Sequence, residues 1–515
     1  MNDAWAAAWA RLPEYLGEHV VLSASALLLG LLISLPLTIL AVRCRRVRWP
    51  ILAFASTIQT IPSLALLALF YPLLLMLSAL SQRLFGQGFA ALGFLPSLLA
   101  LTLYSMLPII RNGVAGIVNL PPAIIEAARG VGMTDRQRLL RIELPLAAPM
   151  LMAGVRTAAV WVIGTATLST PVGQTSLGNY IFSGLQVENW VSVLFGCAAA
   201  ALLALVVDQM LALIETGVAL RSRVRILTGT IVLLAGVAAA VIPRLQAAPT
   251  TYVIGAKNFS EQYILAELIS QRLAAGQHRS VQRTGLGSAI AFRALSRNDI
   301  DVYVDYSGTL WANVMHRTDI PSREAMLAEV THWLENERGI TVLGTLGFEN
   351  AYALAMHRER AQALGIRSIE DLARQSSQLT MGGDLEFFER PEWAALRSAY
   401  GLNFAARRQY QPTFMYRAVV SGEVDVIPAF SSDGRIAADD LVLLDDPRHA
   451  LLPYDAIVLL APARAGDDEL KRALQPLVGS ISIEAMRAAN LSVDRDTDKL
   501  TPAAAARKLG AAVGH

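Results

Sequence analysis

Apolar residues are spread unevenly along this chain. Six long apolar runs fall at about 19–42, 51–78, 89–110, 146–168, 191–217 and 226–243. Each is of the length a helix needs to cross roughly 30 Å of hydrocarbon. Beyond residue 250 no such run occurs and the pattern changes. Short strand-like stretches ("TYVIGAK", "DIDVYVDY", "YALAM", "LTMGG", "VDVIPAF", "AIVLLAP") alternate with helical spacing such as Ile264, Leu265, Leu268, Ile269 and Leu273. The alternation predicts α/β lobes rich in parallel pairing. The chain therefore reads as an all-α polytopic membrane domain over 1–243, a linker at 244–250, and an α/β domain over 251–515.

Charge orients the spans. Arg43, Arg45, Arg46 and Arg48 follow the first run, Arg129, Arg136, Arg138 and Arg141 the third, and Arg221, Arg223 and Arg225 the fifth. After the second run there is only Arg83, and 169–190 holds no Lys or Arg. By the positive-inside rule the odd-numbered loops are cytoplasmic, so the N-terminus and the α/β domain are expected outside.

The whole chain of 515 residues is 54% hydrophobic and 17% charged, with a net charge of +2, too apolar for an ordinary soluble protein. No basic patch laced with aromatics points to nucleic acid. The two cysteines, Cys44 and Cys197, sit in or beside apolar runs and offer no disulfide framework. The first twenty residues lack the charged and apolar regions of a cleaved signal peptide, and none is expected.

One charged insert interrupts the apolar half: "PPAIIEAARGVGMTDRQRLLRIELPLAAP" at 121–149. Pro121 and Pro122 suit the first turn of a helix. Gly132 permits a sharp exit, and Thr134 is a candidate N-cap for a second short helix through Arg141. A helix–glycine–helix elbow along the membrane surface follows, which by itself is compatible with a passive interfacial helix. The pattern of Glu126, Ala127, Ala128, Gly132, Ile142, Leu144 and Pro145 resembles the signature of ABC-importer permeases. That resemblance implies that the elbow, over 121–145, is the coupling helix that docks on a cytoplasmic ATPase. The chain has no G-x-x-x-x-G-K-[ST] phosphate loop, and "GLGSAIAF" at 285–292 has no lysine, so the ATPase is expected on a separate polypeptide. The stretch 170–185, "TPVGQTSLGNYIFSGL", resembles the glycine-rich external loop of betaine-type permeases, and equally suits a tight re-entrant turn.

In the second half, "TYVIGAK" feeds a helix start signalled by Asn258 with Glu261. A strand running into a helix N-terminus suits an anion such as a carboxylate. "GAKNFSEQYIL", "DVYVDYSGTL", "GFENAYALAM", "EVDVIPAFSSDGRI" and "LLPYDAIVLL" resemble, in order, blocks of the osmoprotectant-binding proteins for betaine, choline and carnitine. The resemblance implies a bilobed type II periplasmic-binding-protein fold. Lobe 1 would take about 251–346 and 456–515, and lobe 2 about 347–455. It also implies a box of aromatic rings formed by Tyr306, Tyr352, Phe430 and Tyr454. Phe430 stands where the family usually has tyrosine. Gln262, Asn350 and Arg390 are candidates for a carboxylate end of the ligand.

The chemistry suits such a box. A quaternary ammonium has no N–H to donate, so dispersion and the negative ring faces must hold it. Glycine betaine, choline, carnitine or a similar compound such as ergothioneine is the expected ligand. A primary-amine zwitterion, with Asp305 as its acidic partner, is the alternative. A ligand-gated channel or sensor is a further one, disfavoured by the coupling signature. No hydrolytic motif, metal-ligand cluster or cofactor signature occurs. An importer of this kind implies a homodimer in the bacterial inner membrane, with the binding domain on the periplasmic side.

Overall fold

The computed structural model describes residues 2–85, 89, 93–186, 189–245, 251–317, 319–410, 412–448, 450–495 and 497–513. Residues 246–250 of the expected linker and 90–92 of the expected third span lie outside them. The chain divides into two compact units, one built on Ala6–Ile181 and Ser192–Ala247, the other on Ala248–His515.

The first unit is helical. Its helices are α1 (Asn2–Arg43), α2 (Arg45–Thr60), α3 (Ser63–Phe85), α4 (Phe94–Val118), α5 (Pro122–Gly130), α6 (Asp135–Arg138), α7 (Leu144–Ala166), α8 (Gly178–Gln186), α9 (Trp190–Ala219) and α10 (Arg223–Leu245). Among the described residues, six helical stretches are long and apolar enough to cross a membrane: Trp5–Arg43, Ser63–Phe85, Phe94–Val118, Asp135–Val172, Trp190–Ala219 and Arg223–Ile242. The number agrees with the apolar pattern, but two boundaries do not. The second span starts at Ser63, not near 51, because Pro62 drives Ile61 into extended backbone (φ −73°, ψ 127°) and ends α2. The first helix starts at Asn2, well before 19. Its N-terminal turns gain packing, with Ala8 and Tyr15 buried against Leu177, Tyr180 and Phe195.

Helices α4 and α7 pack most closely of all. A side chain at Gly154 would sit 2.8 Å from the Pro108 carbonyl, so the small residue sets their approach. The stretch after α7 folds back into the bundle: Ser169, Thr170, Gln174, Ser176 and Asn179 are buried. Gly173 takes the left-handed conformation (φ 82°) that reverses the chain. Asn179 Oδ1 holds the turn by accepting from Ser176 N at 2.8 Å and Thr170 Oγ1 at 3.2 Å. The re-entrant turn, not an open loop, describes 170–181.

The second unit is α/β. Its strands are β1 (Thr251–Lys257), β2 (Arg279–Leu286), β3 (Val302–Tyr306), β4 (Thr341–Glu349), β5 (Tyr352–His357), β6 (Thr380–Asp384), β7 (Ala406–Tyr410), β8 (Ile427–Phe430), β9 (Leu441–Leu443) and β10 (Asp455–Leu460). One sheet has the order β2-β1-β3-β10-β4, a second β8-β5-β9, and β6 pairs with β7. Every stretch expected as a strand contains one. Parallel pairing is less general than the alternation predicts. β1 runs parallel to β2 and β3, but β10 is antiparallel to both its neighbours, and β5 is antiparallel to β8 and β9. The reason is that β10 enters the first sheet after the chain has built the second, so it arrives from the opposite end.

Candidate functional site

The four aromatic residues singled out from the sequence all stand at strand ends. Tyr306 closes β3, Tyr352 opens β5, Phe430 closes β8, and Tyr454 immediately precedes β10. Pairing then brings them together: Tyr352 is the cross-strand partner of Phe430, and Tyr306 of Ala456, two residues beyond Tyr454. All four line a cavity of about 180 Å³, together with Asn350 and Arg390. The Tyr352 ring lies 5.0 Å from Phe430 and 5.6 Å from Tyr454, the latter edge-on at 83°.

Two further rings, Phe259 and Tyr410, line the cavity and were not anticipated. Phe259 lies parallel to Phe430 (2°) at 6.4 Å and 6.2 Å from Tyr306. In the sequence it reads as an ordinary apolar residue before a helix. Its signal is the extended conformation it keeps as N-cap of α11 (Ser260–Ala275), with no side-chain cap behind it. The expected cap from Asn258 and Glu261 does not form. Asn258 lines the cavity instead, and Glu261 turns inward.

Glu261 is a hub behind the rings. Its Oε1 accepts from Tyr306 Oη at 2.5 Å and from Asn350 Nδ2 at 3.1 Å, and its Oε2 from Asn490 Nδ2 at 2.9 Å. Burial raises its pKa, and the donors around it offset part of that rise. Burial, followed by the charge of Glu261, pushes the Tyr306 phenol well above its ordinary range. Tyr306 is therefore a neutral ring with a fixed hydroxyl.

The polar candidates fare differently. Gln262 is buried behind the box, where its amide donates to Tyr306 Oη and the Val304 carbonyl, both at 3.0 Å. Its Oε1 accepts from Lys257 N at 3.2 Å, so both ends of the amide are engaged behind the Tyr306 ring, outside the cavity lining. Asn350 Nδ2 donates to Glu261 at 3.1 Å, and its buried Oδ1 has no partner among the described residues.

Arg390 is buried, with its guanidinium 5.2 Å from the Tyr352 ring centre. It donates to Glu392 Oε2 and Thr309 Oγ1, each at 3.3 Å. Glu392 in turn accepts from the Tyr454 hydroxyl, so the arginine and one ring share an anchor. Lys257 lines the cavity, 5.1 Å from the Tyr306 ring centre, and is ion-paired with Asp305. Asp305 is fully buried, and also accepts from Tyr303 Oη and Tyr306 N. It is therefore not the acid of the cavity wall. That position belongs to Asp384, which sequence reading missed and whose Oδ1 caps Phe387 N at 2.5 Å.

The elbow of the helical unit also follows from local chemistry. Pro122 opens α5, and Gly132 (φ 77°) turns the chain. Thr134 forms a reciprocal cap with Gln137, at 3.3 Å and 2.9 Å. The second helix does not stop at Arg141. It passes through one π turn, Leu139–Glu143, directly into α7. Ala128 is buried, whereas Glu126, Ala127, Gly132 and Pro145 are exposed, and Ile142 and Leu144 half-buried. Ile124, Val131 and Leu140 of the same segment are exposed as well.

Comparison with known proteins agrees with both units. Residues 250–510, more than half of the chain, match the family described as the substrate binding domain of the ABC-type glycine betaine transport system. Residues 26–220 match the binding-protein-dependent transport system inner membrane component. The chain is similar to the ergothioneine transport permease/ergothioneine binding protein of Helicobacter pylori (strain G27), at 29% identity over 462 residues, covering 86% of this chain and 80% of that protein. It is also similar to the choline transport system permease protein of Bacillus subtilis (strain 168), at 38% identity over 198 residues, covering 38% of this chain and 84% of that one. Among solved structures, a glycine betaine/carnitine/choline ABC transporter aligns at 26% identity and a TM-score of 0.44, covering 50% of this chain and 96% of that one. The chain belongs to the glycine betaine transport family, and joins on one polypeptide the inner-membrane permease and the osmoprotectant-type substrate-binding domain of an ABC importer.

Proposed function

We propose that this protein binds a quaternary ammonium compound in the ring-lined cavity and passes it through its membrane unit, driven by a separate ATPase that docks on the 121–145 elbow. The observation that carries the ligand class is the set of six rings, Phe259, Tyr306, Tyr352, Tyr410, Phe430 and Tyr454, around one small cavity. Ring faces attract a desolvated cation by up to about 2 kcal/mol each. A methylated ammonium loses no hydrogen bond on entering them, whereas a primary amine loses its hydration. The amine reading also loses its anchor, because Asp305 is committed to Lys257. Ergothioneine heads the panel of compounds, since the relative that spans both halves of the chain carries that name.

A permease of one such unit supplies half a path, so the working assembly is read as a homodimer with two ATPase subunits. The arginine-rich loops support an elbow in the cytoplasm and residues 251–515 in the periplasm.

Calorimetric titration of the purified full chain with ergothioneine, choline, glycine betaine and carnitine, against ethanolamine as a primary amine, tests the ligand. Saturable binding of at least one methylated compound, with none of ethanolamine, is expected. Binding of ethanolamine alone overturns the ring-box reading in favour of Asp384 as an amine anchor. For orientation, single cysteines at Gln137 and Glu337 are introduced after Cys44→Ser and Cys197→Ser. An impermeant thiol reagent applied from the periplasm is expected to reach position 337 alone, and labelling of position 137 alone reverses the topology.

A further inference from the structure

The elbow is joined covalently to two helices only, α4 before it and α7 after it, and these two pack tightly together. An ATPase pushing on the elbow therefore moves α4 and α7 directly. Helix α1 has no such connection. It ends at Arg43, and the helix is interrupted at Cys44 before α2 begins.

A buried carboxylate bridges that gap. Glu143, in the π turn, is almost fully buried, and so is Arg138. Glu143 Oε1 accepts from Arg138 Nε at 2.7 Å. Its Oε2 accepts from Arg43 Nη2 at 2.8 Å, with Arg43 Nη1 at 3.4 Å from Oε1. Arg43 Nη2 also lies 3.5 Å from the Asp135 carbonyl, and Arg138 pairs with the Asp135 carboxylate at 2.9 Å. The charges balance: two arginines against Glu143 and Asp135. On the far side, Arg48 braces the last turn of α1 by donating to the Ala41 carbonyl at 3.0 Å.

Two features say that this arrangement is for geometry. Desolvating an ion pair returns little net stability, so a buried one is poor material for simply holding a fold. The π turn adds a residue to the helical ladder, and such turns concentrate at functional places. Here the turn holds the residue that reaches α1.

We propose that Glu143 is a positioning residue that locks the end of α1 to the elbow through Arg43, so that ATPase movement drives α1 together with α4 and α7. The inference rests on the elbow being the ATPase docking site.

The informative variant is Arg43→Met. It cuts the tie to α1 at a partly exposed position and leaves Glu143 paired with Arg138. The full chain and its ATPase are reconstituted in liposomes, and ATP hydrolysis is measured beside uptake of radiolabelled ergothioneine, choline and glycine betaine. Arg43→Met is expected to keep ATPase capture and hydrolysis while uptake per ATP falls about tenfold, a typical size for coupling between two sites. Arg43→Lys, which keeps the charge, is expected to recover part of it. Glu143→Gln, which strands two arginines, is expected to lose more than Arg43→Met. Parental uptake per ATP in Arg43→Met overturns the proposal. Loss of ATPase capture by Arg43→Met also overturns it, since the pair would then hold the fold of the elbow. A parental chain that captures no ATPase refutes the docking reading itself, which separates the two failures.

Discussion

A side chain added at Gly132 of the elbow would meet nothing within 4 Å, whereas one added at Gly308 would lie 2.8 Å from the Tyr454 ring of the box. The same residue type does different work in the two places. In the elbow, glycine supplies a left-handed turn in an open segment where Ile124, Val131 and Leu140 are exposed as well. In the box it supplies the absence of volume beside a packed ring. On the proposed reading, a site for a macromolecule is left unfinished, because the partner provides the missing packing. A site for a small cation, as proposed, is finished in advance, with the hydroxyls of Tyr306 and Tyr454 tied to the buried acids Glu261 and Glu392. Preorganisation of this kind removes the cost of ordering the rings when the ligand binds.

The sharpest way to break this comparison is to damage the open site alone. Gly132→Asp puts a side chain where φ is 77° and a charge on the elbow surface. Uptake by the assembled transporter is expected to fall by about a hundredfold or more, the scale at which a mispositioned rigid element fails. Ligand affinity, measured by calorimetry, is expected to stay at the parental value. A joint loss of affinity and uptake refutes the independence of the two sites.

The next effect is smaller and lies in the box. Tyr306→Ala and Tyr454→Ala are each expected to weaken binding of a methylated ammonium by about tenfold or more, the equivalent of 1–2 kcal/mol per ring. Parental affinity in both variants removes the ring box as the binding site. Tyr306→Phe sharpens the point, because it keeps the ring face and deletes the bond to Glu261. A loss of about threefold is expected, in line with one hydrogen bond of about 0.7 kcal/mol. A loss equal to that of Tyr306→Ala assigns the binding to the hydroxyl.

The last effect concerns stability alone and leaves uptake and affinity untouched. Burial pushes the Asp299 carboxyl up to about 6. The folded state then holds a proton that the unfolded chain releases near pH 4, so between those values folding binds protons. The contribution of Asp299 to stability is therefore greatest below about pH 4, declines as pH rises to about 6, and is flat above. The full swing is at most about 3 kcal/mol. Thermal melts of the parent and Asp299→Asn across pH 4–8 check it: the variant is expected to lose this decline, and identical curves refute the assignment.

Much of this was legible from residue order. The six spans follow from run length, because a bilayer imposes one thickness on every helix. The elbow's turn at Gly132 and its cap at Thr134 were legible because both are local backbone effects, reaching three residues at most. The second span was misplaced because Pro62 lies inside an apolar run, where hydropathy averaging hides a proline that the backbone obeys. The Asn258–Glu261 cap had the right spacing, and failed because Glu261 finds three donors in the interior, from Tyr306, Asn350 and Asn490. No local pattern announces partners 45, 89 and 229 residues away.

Composition and periodicity by themselves therefore determined the division into a membrane half and an α/β half, six of the ten described strands and the elbow. Each depends on distances along the chain that the covalent backbone sets. Tertiary structure alone decided which polar residues meet the cavity and which stand behind it. It exchanged Gln262 for Phe259, replaced Asp305 by Asp384, and joined Arg43 to Glu143 across a hundred residues. Those choices depend on burial and pairing, and an acid or amide shows its role only once the groups that compete for it are in place.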